Sequence, residues 1–470
     1  MDYSPLSKEL TSKLSKAEKQ NQGIYFTPPS CVAKNLALLQ PYFATGSINE
    51  VLEPACGSGE YLSALRAAYP GLKLTGIEYN ATIYQAIVTH FAGTAVTLLH
   101  ENYLDYEPAP AVEQAPAVEP APAKMFDLII GNPPYYVMKK PEVPKEYHPY
   151  FDGRPNIFLL FLIKSFQLLR TGGILSFVLP KSFLNCLYYD KTRAYLNKHC
   201  KILAIEECTT DKYIETQQGT IILILQKLAP KIKLKIKTAA QLKIYEAAMK
   251  TLVASHTSVA SHTSVAHHTS VASHINSPYI LTRQGFTIFA TPANNLIFKS
   301  LYHNSTSLNE LGFKVSVGTV VWNQCKKLLT ADDTQTRLIY SSNIENNCLV
   351  EKTYNNEAKL NYIKQPGLHQ PVLIVNRGYG VGTYLFNYCF LDGTMPYLVE
   401  NHLICITLAE AAPLANAYKK IMASFADPRT TAFIQAYFGN SAINTTELGS
   451  ILPIYQDLSS YQDLSSYQDI

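Results

Sequence analysis

The tetrapeptide Asn132-Pro133-Pro134-Tyr135 joins an amide, two rigid rings and an aromatic phenol directly to the end of an apolar run, Asp127–Gly131. Exocyclic amines of adenine or cytosine, and the amide nitrogen of glutamine, are poor nucleophiles because their lone pair is delocalised. Two acceptors aimed at the two N–H bonds draw such a nitrogen towards sp³ and localise that pair. The Asn132 side-chain oxygen and the Pro133 carbonyl are of the right type. Proline fixes φ near about −65°, so the corner is stiff, and preorganised dipoles of this sort favour a transition state over a ground state. A β-turn after a buried strand would use the same residues, so the tetrapeptide needs company to carry weight.

Company comes from the strand ends upstream. "LEPACGSGEYL" places Glu53, Pro54, Ala55 and Cys56 before Gly57 and Gly59, ahead of a helical run. No Lys-Ser/Thr follows, so it is not a Walker loop, and it is not the GxGxxG fingerprint. The next strand, "KLTGIEY", ends in Glu78 and Tyr79, where a carboxylate usually meets ribose hydroxyls. The third, "VTLLHENYLDY", ends near Asp105, an acceptor for an adenine amino group. A solvated loop acid is the plain alternative at both positions.

The elements behind these residues alternate. Strand, helix, strand, helix recurs from "SINEVLEPA" to "TIILILQKL", with "IFLLFLIKSFQLLRTGG" read as a helix ending at a glycine pair. That rhythm predicts an α/β, doubly wound, mostly parallel sheet, whose ligands sit beyond the carboxyl ends of the strands. The chain has 470 residues, 47% of them apolar and 16% charged, enough for two or three globular domains. A net charge of +4 permits a polyanionic partner without requiring one. Nine cysteines without a CxxC pair predict neither a zinc site nor a disulfide framework, and no metal is expected. The polar N-terminus predicts no secretory signal, and the longest apolar run is interrupted by Lys164.

Three six-residue repeats punctuate the chain: Pro/Ala-rich at 109–124, His/Ser-rich at 253–274, and "YQDLSS" copies at 455–470. Their composition predicts surface expansions, the His-rich one a linker more readily than a metal site. The expected domains are 1–245, interrupted by a low-complexity loop at 107–124; a linker, 246–276; a C-terminal domain, 277–454; and a tail, 455–470.

Taken together, the motifs resemble the gamma group of S-adenosylmethionine-dependent N6-adenine DNA methyltransferases, from about residue 21 to 228. Tyr25, Thr27 and Pro28 in "NQGIYFTPP" match the motif ahead of the glycine loop, implying contacts to the methionine part of the cofactor. The resemblance places Glu53 at the cofactor amino group, in place of the commoner Asp, Glu78 at its ribose and Asp105 near its adenine. Asn132, Pro133, Pro134 and Tyr135 become catalytic, with Asn132 and Pro134 also touching cofactor, and Tyr213 stacks on a base turned out of the helix. It implies a class I methyltransferase fold, a mixed α+β target-recognition domain over 277–454, and duplex DNA as partner. It also implies action as a monomer, an intracellular setting in a bacterium or a virus-infected cell, and a possible cognate restriction endonuclease. Lys139 and Lys140, in the loop after the tetrapeptide, read as phosphate contacts on a mobile lid. Arg377, Lys326 and Lys327, in the C-terminal domain, are candidates for contact to guanine in the major groove. An RNA adenine or protein glutamine methyltransferase, or a silent DNA-binding subunit, remain open alternatives.

Overall fold

The computed structural model describes residues 2–108, 125–208, 213–214, 219–229, 277–378, 385–408, 414–438 and 442–457. The Pro/Ala and His-rich repeats, and residues 230–238, whose alternation of Lys with apolar residues predicts a strand with one cationic face, lie outside the described residues. The chain divides into two compact units, Met1–Ile280 and Leu281–Ile470.

The first unit is built on seven strands: β1 (Glu50–Glu53), β2 (Lys73–Glu78), β3 (Thr97–His100), β4 (Phe126–Gly131), β5 (Leu169–Pro180), β6 (Cys200–Glu207) and β7 (Thr220–Lys227). They lie in the order β3-β2-β1-β4-β5-β7-β6. Every neighbouring pair is parallel until β7, which runs antiparallel to both β5 and β6. The order reverses between β1 and β4, and that switch point opens a crevice at the strand ends. The helices are α1 (Pro5–Lys13), α2 (Lys16–Gln22), α3 (Pro29–Phe43), α4 (Glu60–Ala68), α5 (Ala81–His90), α6 (Ile157–Leu168) and α7 (Asp190–His199). Local sequence sets their ends. Ser15 and Glu18 form a capping box on α2, and the Asn80 side chain caps α5 through the Ile83 N–H. The helix α6 is apolar on all sides and buried along almost its whole length, which suits a helix enclosed by its neighbours.

Two boundaries differ from those read in the sequence. The helix before the glycine pair stops at Leu168, and Leu169 already pairs with Phe126 in the sheet. Arg170 pairs with the buried Asp127 at 2.7 Å, and Gly172 and Gly173 fall inside β5. The third strand ends at His100 rather than near Asp105. Asn102 turns the chain there, its side chain accepting the Leu104 N–H at 3.2 Å and its carbonyl the Asp105 N–H at 2.9 Å.

The second unit contains two four-stranded sheets. One, all antiparallel, orders Phe313–Val317, Leu403–Leu408, Val372–Asn376 and Tyr388–Leu391. The other orders Leu329–Thr330, Tyr362–Ile363, Thr336–Ile339 and Tyr397–Val399, the last pair parallel. With helices Pro292–Leu301, Leu414–Ala426 and Pro428–Tyr437, this is a mixed α+β unit. It takes in the start of the tail repeat: Tyr455 is buried under the Arg429 guanidinium, which also pairs with Asp457 at 3.0 Å. Trp322 is half-buried against the small core of Val320, Leu338 and Ile363.

Candidate active site

The glycine loop leaves β1 as Glu53-Pro54-Ala55-Cys56-Gly57, and Cys56 is tied to β2 by its N–H to the Ile77 carbonyl, 2.9 Å. Gly57 and Gly59 have φ of 50° and 76°, so both take the left-handed conformation that favours glycine. A side chain at Gly59 would in addition strike the Phe91 ring. The turn aims the Gly57 N–H at Glu78 Oε2, 2.9 Å, while Glu78 Oε1 accepts the Asn80 N–H at 2.7 Å. Burial still dominates this carboxyl, raising it from 4.5 to about 7 against those hydrogen bonds. Glu53 is 3% exposed and burial pushes it well above the carboxylate range, with Glu78 and Glu60 adding to the effect. Its Oε2 has no hydrogen-bond partner among the described residues, which is costly unless a ligand supplies one. The loop is fastened from below by Ser7, whose hydroxyl lies 2.8 Å from the Ser58 hydroxyl and donates to Glu60 at 2.6 Å.

At the end of β4 the elbow is neutral. The Asn132 amide donates from Nδ2 to the Tyr25 carbonyl, 3.0 Å, and its Oδ1 accepts the Tyr135 hydroxyl at 2.5 Å. That hydroxyl also stands 2.7 Å from the Val178 carbonyl on β5. The Tyr135 ring meets Phe158 edge-on at 5.9 Å, and burial pushes its phenol well above the ordinary range, so it is a donor and not a base.

These groups surround one cavity of about 310 Å³. Tyr25, Pro54, Ala55, Gly57, Glu78, Tyr79, Asp105, Asn132 and Pro134, all singled out in the sequence, line it. Tyr79 is 64% exposed, leaving a ring face open to a planar ligand. Asp105 accepts from the Asn102 side chain at 2.7 Å. Thr27, Pro28, Glu53, Cys56, Gly59, Pro133 and Tyr135 are not among the lining residues; Pro28 starts α3, its carbonyl taking the Cys31 and Val32 N–H groups. Tyr213 is buried in the wall of a second, very small cavity with Tyr25 and Phe26.

Sequence reading missed part of the wall. Met138, Glu142 and Pro144 reach the cavity from the loop after the elbow, and Ile157 and Phe161 from α6. That loop folds into short 3-10 turns at Lys140–Glu142 and Lys145–Tyr150, with Met138 N–H on the Pro155 carbonyl at 2.8 Å. Lys139 and Lys140 are exposed on it, and Lys139 Nζ lies 3.8 Å from Glu142. The apolar spacing of α6 was a usable signal; nothing marks Met138. Among the lining residues four are acidic and none is Lys or Arg, an electrostatic setting that attracts a cation and repels a phosphate. In the second unit, Lys326 and Lys327 are exposed, Lys326 Nζ lying 5.6 Å over the Trp322 ring. Arg377 is half-buried just past Val372–Asn376, and its carbonyl accepts the Ile443 N–H at 2.9 Å. Among the described residues, no group of three or more metal-ligating side chains occurs, and no helix is long and apolar enough to cross a membrane.

Residues 86–213 match the Eco57I restriction-modification methylase family. The modification methylase CviBIII of Paramecium bursaria Chlorella virus NC1A is 28% identical over 192 residues, 41% of this chain and 46% of its own length. The type II methyltransferase M.CvrRI of Paramecium bursaria Chlorella virus XZ-6E is 23% identical over 435 residues, 91% of this chain and 92% of its own. This chain thus spans about half of the first relative and nearly all of the second. Among solved structures, the cryo-EM DrdV–DNA complex aligns with 96% of this chain and 57% of its own at 13% identity and a TM-score of 0.49. By its strand order the first unit has the class I S-adenosylmethionine-dependent methyltransferase fold, and it is similar in sequence to type II restriction-modification methyltransferases.

Proposed function

We propose that this protein transfers a methyl group from S-adenosylmethionine to N6 of an adenine turned out of duplex DNA. The reading is carried by one observation: Asn132 and Pro134 share a cavity wall with the Gly57–Glu78 pair, so a methyl donor and an amine acceptor meet in one enclosure.

The donor set suits the cofactor. The unpartnered Glu53 Oε2 answers an ammonium, Glu78 answers ribose hydroxyls, and the acidic wall answers a sulfonium charge. Bound there, S-adenosylmethionine supplies an electrophilic methyl group. The remaining work falls to this chain. Asn132 Oδ1 keeps a second lone pair beyond the one given to Tyr135, and with the Pro133 carbonyl it accepts the two amine N–H bonds. Localising the amine lone pair lowers the barrier without a strong base, since the proton leaves after transfer. The base must first leave the stack, at a cost of a few kcal/mol. Aromatic stacking on Tyr135 offsets it by about 1–3 kcal/mol per base, and Tyr213 adds to this once entry of the base uncovers its buried ring. Lys139 and Lys140 contact phosphates, and Arg377, Lys326 and Lys327 are the candidates for guanine edges.

The test is direct. Purified protein is incubated with methyl-labelled cofactor and duplex DNA, single-stranded RNA or a glutamine-bearing peptide, and the products are digested. Label in N6-methyladenine from the duplex supports the proposal. Label confined to RNA or peptide refutes the substrate, and no label in any arm refutes the enzyme.

A further inference from the structure

We infer that the turn Gln22–Tyr25 is the positioning element of the elbow, with Gly23 seating the Tyr135 backbone and the Tyr25 carbonyl setting which end of the Asn132 amide is oxygen. This rests on the amine-methylating role proposed for the same site.

Gly23 closes α2 in the left-handed conformation, φ 63°. A Cβ built on it would lie 2.5 Å from the Tyr135 nitrogen and 3.0 Å from the Tyr135 carbonyl carbon and oxygen. These are backbone atoms, so no rotamer change relieves the collision. Two residues on, the Tyr25 carbonyl takes the Asn132 Nδ2 hydrogen bond at 3.0 Å. A carbonyl accepts only, so an amide rotated by half a turn would set oxygen against oxygen. The same turn is tied to the carboxylate side, because Gln22 Oε1 accepts from Asn80 Nδ2 at 3.0 Å and Asn80 donates its N–H to Glu78. One short segment therefore fixes the elbow against the cofactor loop, and a small error in such registration is expensive in rate.

Gly46 provides the control. Its φ is 66°, but nothing stands within 4 Å of its added Cβ. Gly23→Ala and Gly46→Ala are compared by calorimetric cofactor affinity and single-turnover methyl transfer. Gly23→Ala is expected to slow transfer by about 100-fold or more while cofactor affinity stays within about threefold, and Gly46→Ala to match wild type in both. Equal transfer rates for Gly23→Ala and wild type overturn the inference, as does an equal loss in the two variants. Should Gly23→Ala not fold, Asn132→Asp decides. A protonated Asp can donate to the Tyr25 carbonyl and an ionised one cannot. Its residual transfer is expected to climb as pH falls from about 8 to about 6; a flat profile overturns the anchor. A wild-type protein inert on every substrate refutes the proposed function instead, so the two failures are distinct.

Discussion

At the end of β2 the cavity wall is a carboxyl taken out of water, Glu78, with Glu53 buried behind the neighbouring loop, whereas at the end of β4 the wall is an amide and a proline ring, Asn132 and Pro134. Glu53 and Glu78 are both titratable, and burial favours their neutral forms, pushing Glu53 well above the carboxylate range and Glu78 to about 7. Asn132 carries no charge and is held by the Tyr25 carbonyl and the Tyr135 hydroxyl. The contrast separates two duties. Binding depends on protonation state and on a cationic ligand; chemistry depends on the placement of neutral acceptors.

That separation can be broken at either end. Asn132→Ala is the harshest trial: methyl transfer should fall by about 10³-fold or more, the scale of losing a preorganised transition-state partner, with cofactor affinity in calorimetry near wild type. A parallel loss of affinity would merge the two duties. Glu78→Ala should weaken cofactor binding by about 10–100-fold, the range for a charge-assisted hydrogen-bond acceptor, and leave single-turnover transfer at saturation nearly unchanged.

Acidity gives a finer measure. Below about 7 Glu78 takes up a proton and loses acceptor capacity, so cofactor affinity should weaken as pH falls through that value. The free protein should behave oppositely. The folded carboxyl titrates at about 7 and the unfolded one near 4.5, so between them the folded state holds the extra proton and stability drops as pH rises. Glu78→Gln should flatten both profiles, read by calorimetry and thermal melts. The mildest trial is outside the cavity. Lys139→Ala and Lys140→Ala should each lower the slope of log duplex affinity against log salt by about one, with no effect on cofactor binding.

What the sequence discloses follows from how local each signal is. Gly57, Glu78 and Asn132 sit at the ends of strands whose apolar runs are plain, so their convergence follows from the topology of a doubly wound sheet. Asp105 reaches the same wall through a turn, not a strand end, because Asn102 bends the chain after His100. Met138 and Pro144 have no periodic pattern and arrive through a loop whose lysines point to phosphate contacts and not to a cavity wall. The α6–β5 junction is misread for a related reason. Its helical hydrophobic spacing runs through Leu169, while the contacts that mark the start of the strand, Leu169 with Phe126 and Arg170 with Asp127, are long-range. In the second unit the strands are two to six residues long, too short for period-two alternation to register.

Asp127 carries one more implication. At the base of β4, remote in sequence from the elbow by one strand length, its carboxylate takes the N–H groups of Asn49 and Glu50 at 2.7 and 3.0 Å and the Arg170 guanidinium. Three segments are thereby bolted together before the strand begins its run. The register of β4 is set at its base, so an Asp127→Asn exchange strikes the footing of the elbow without touching any residue of the cavity wall.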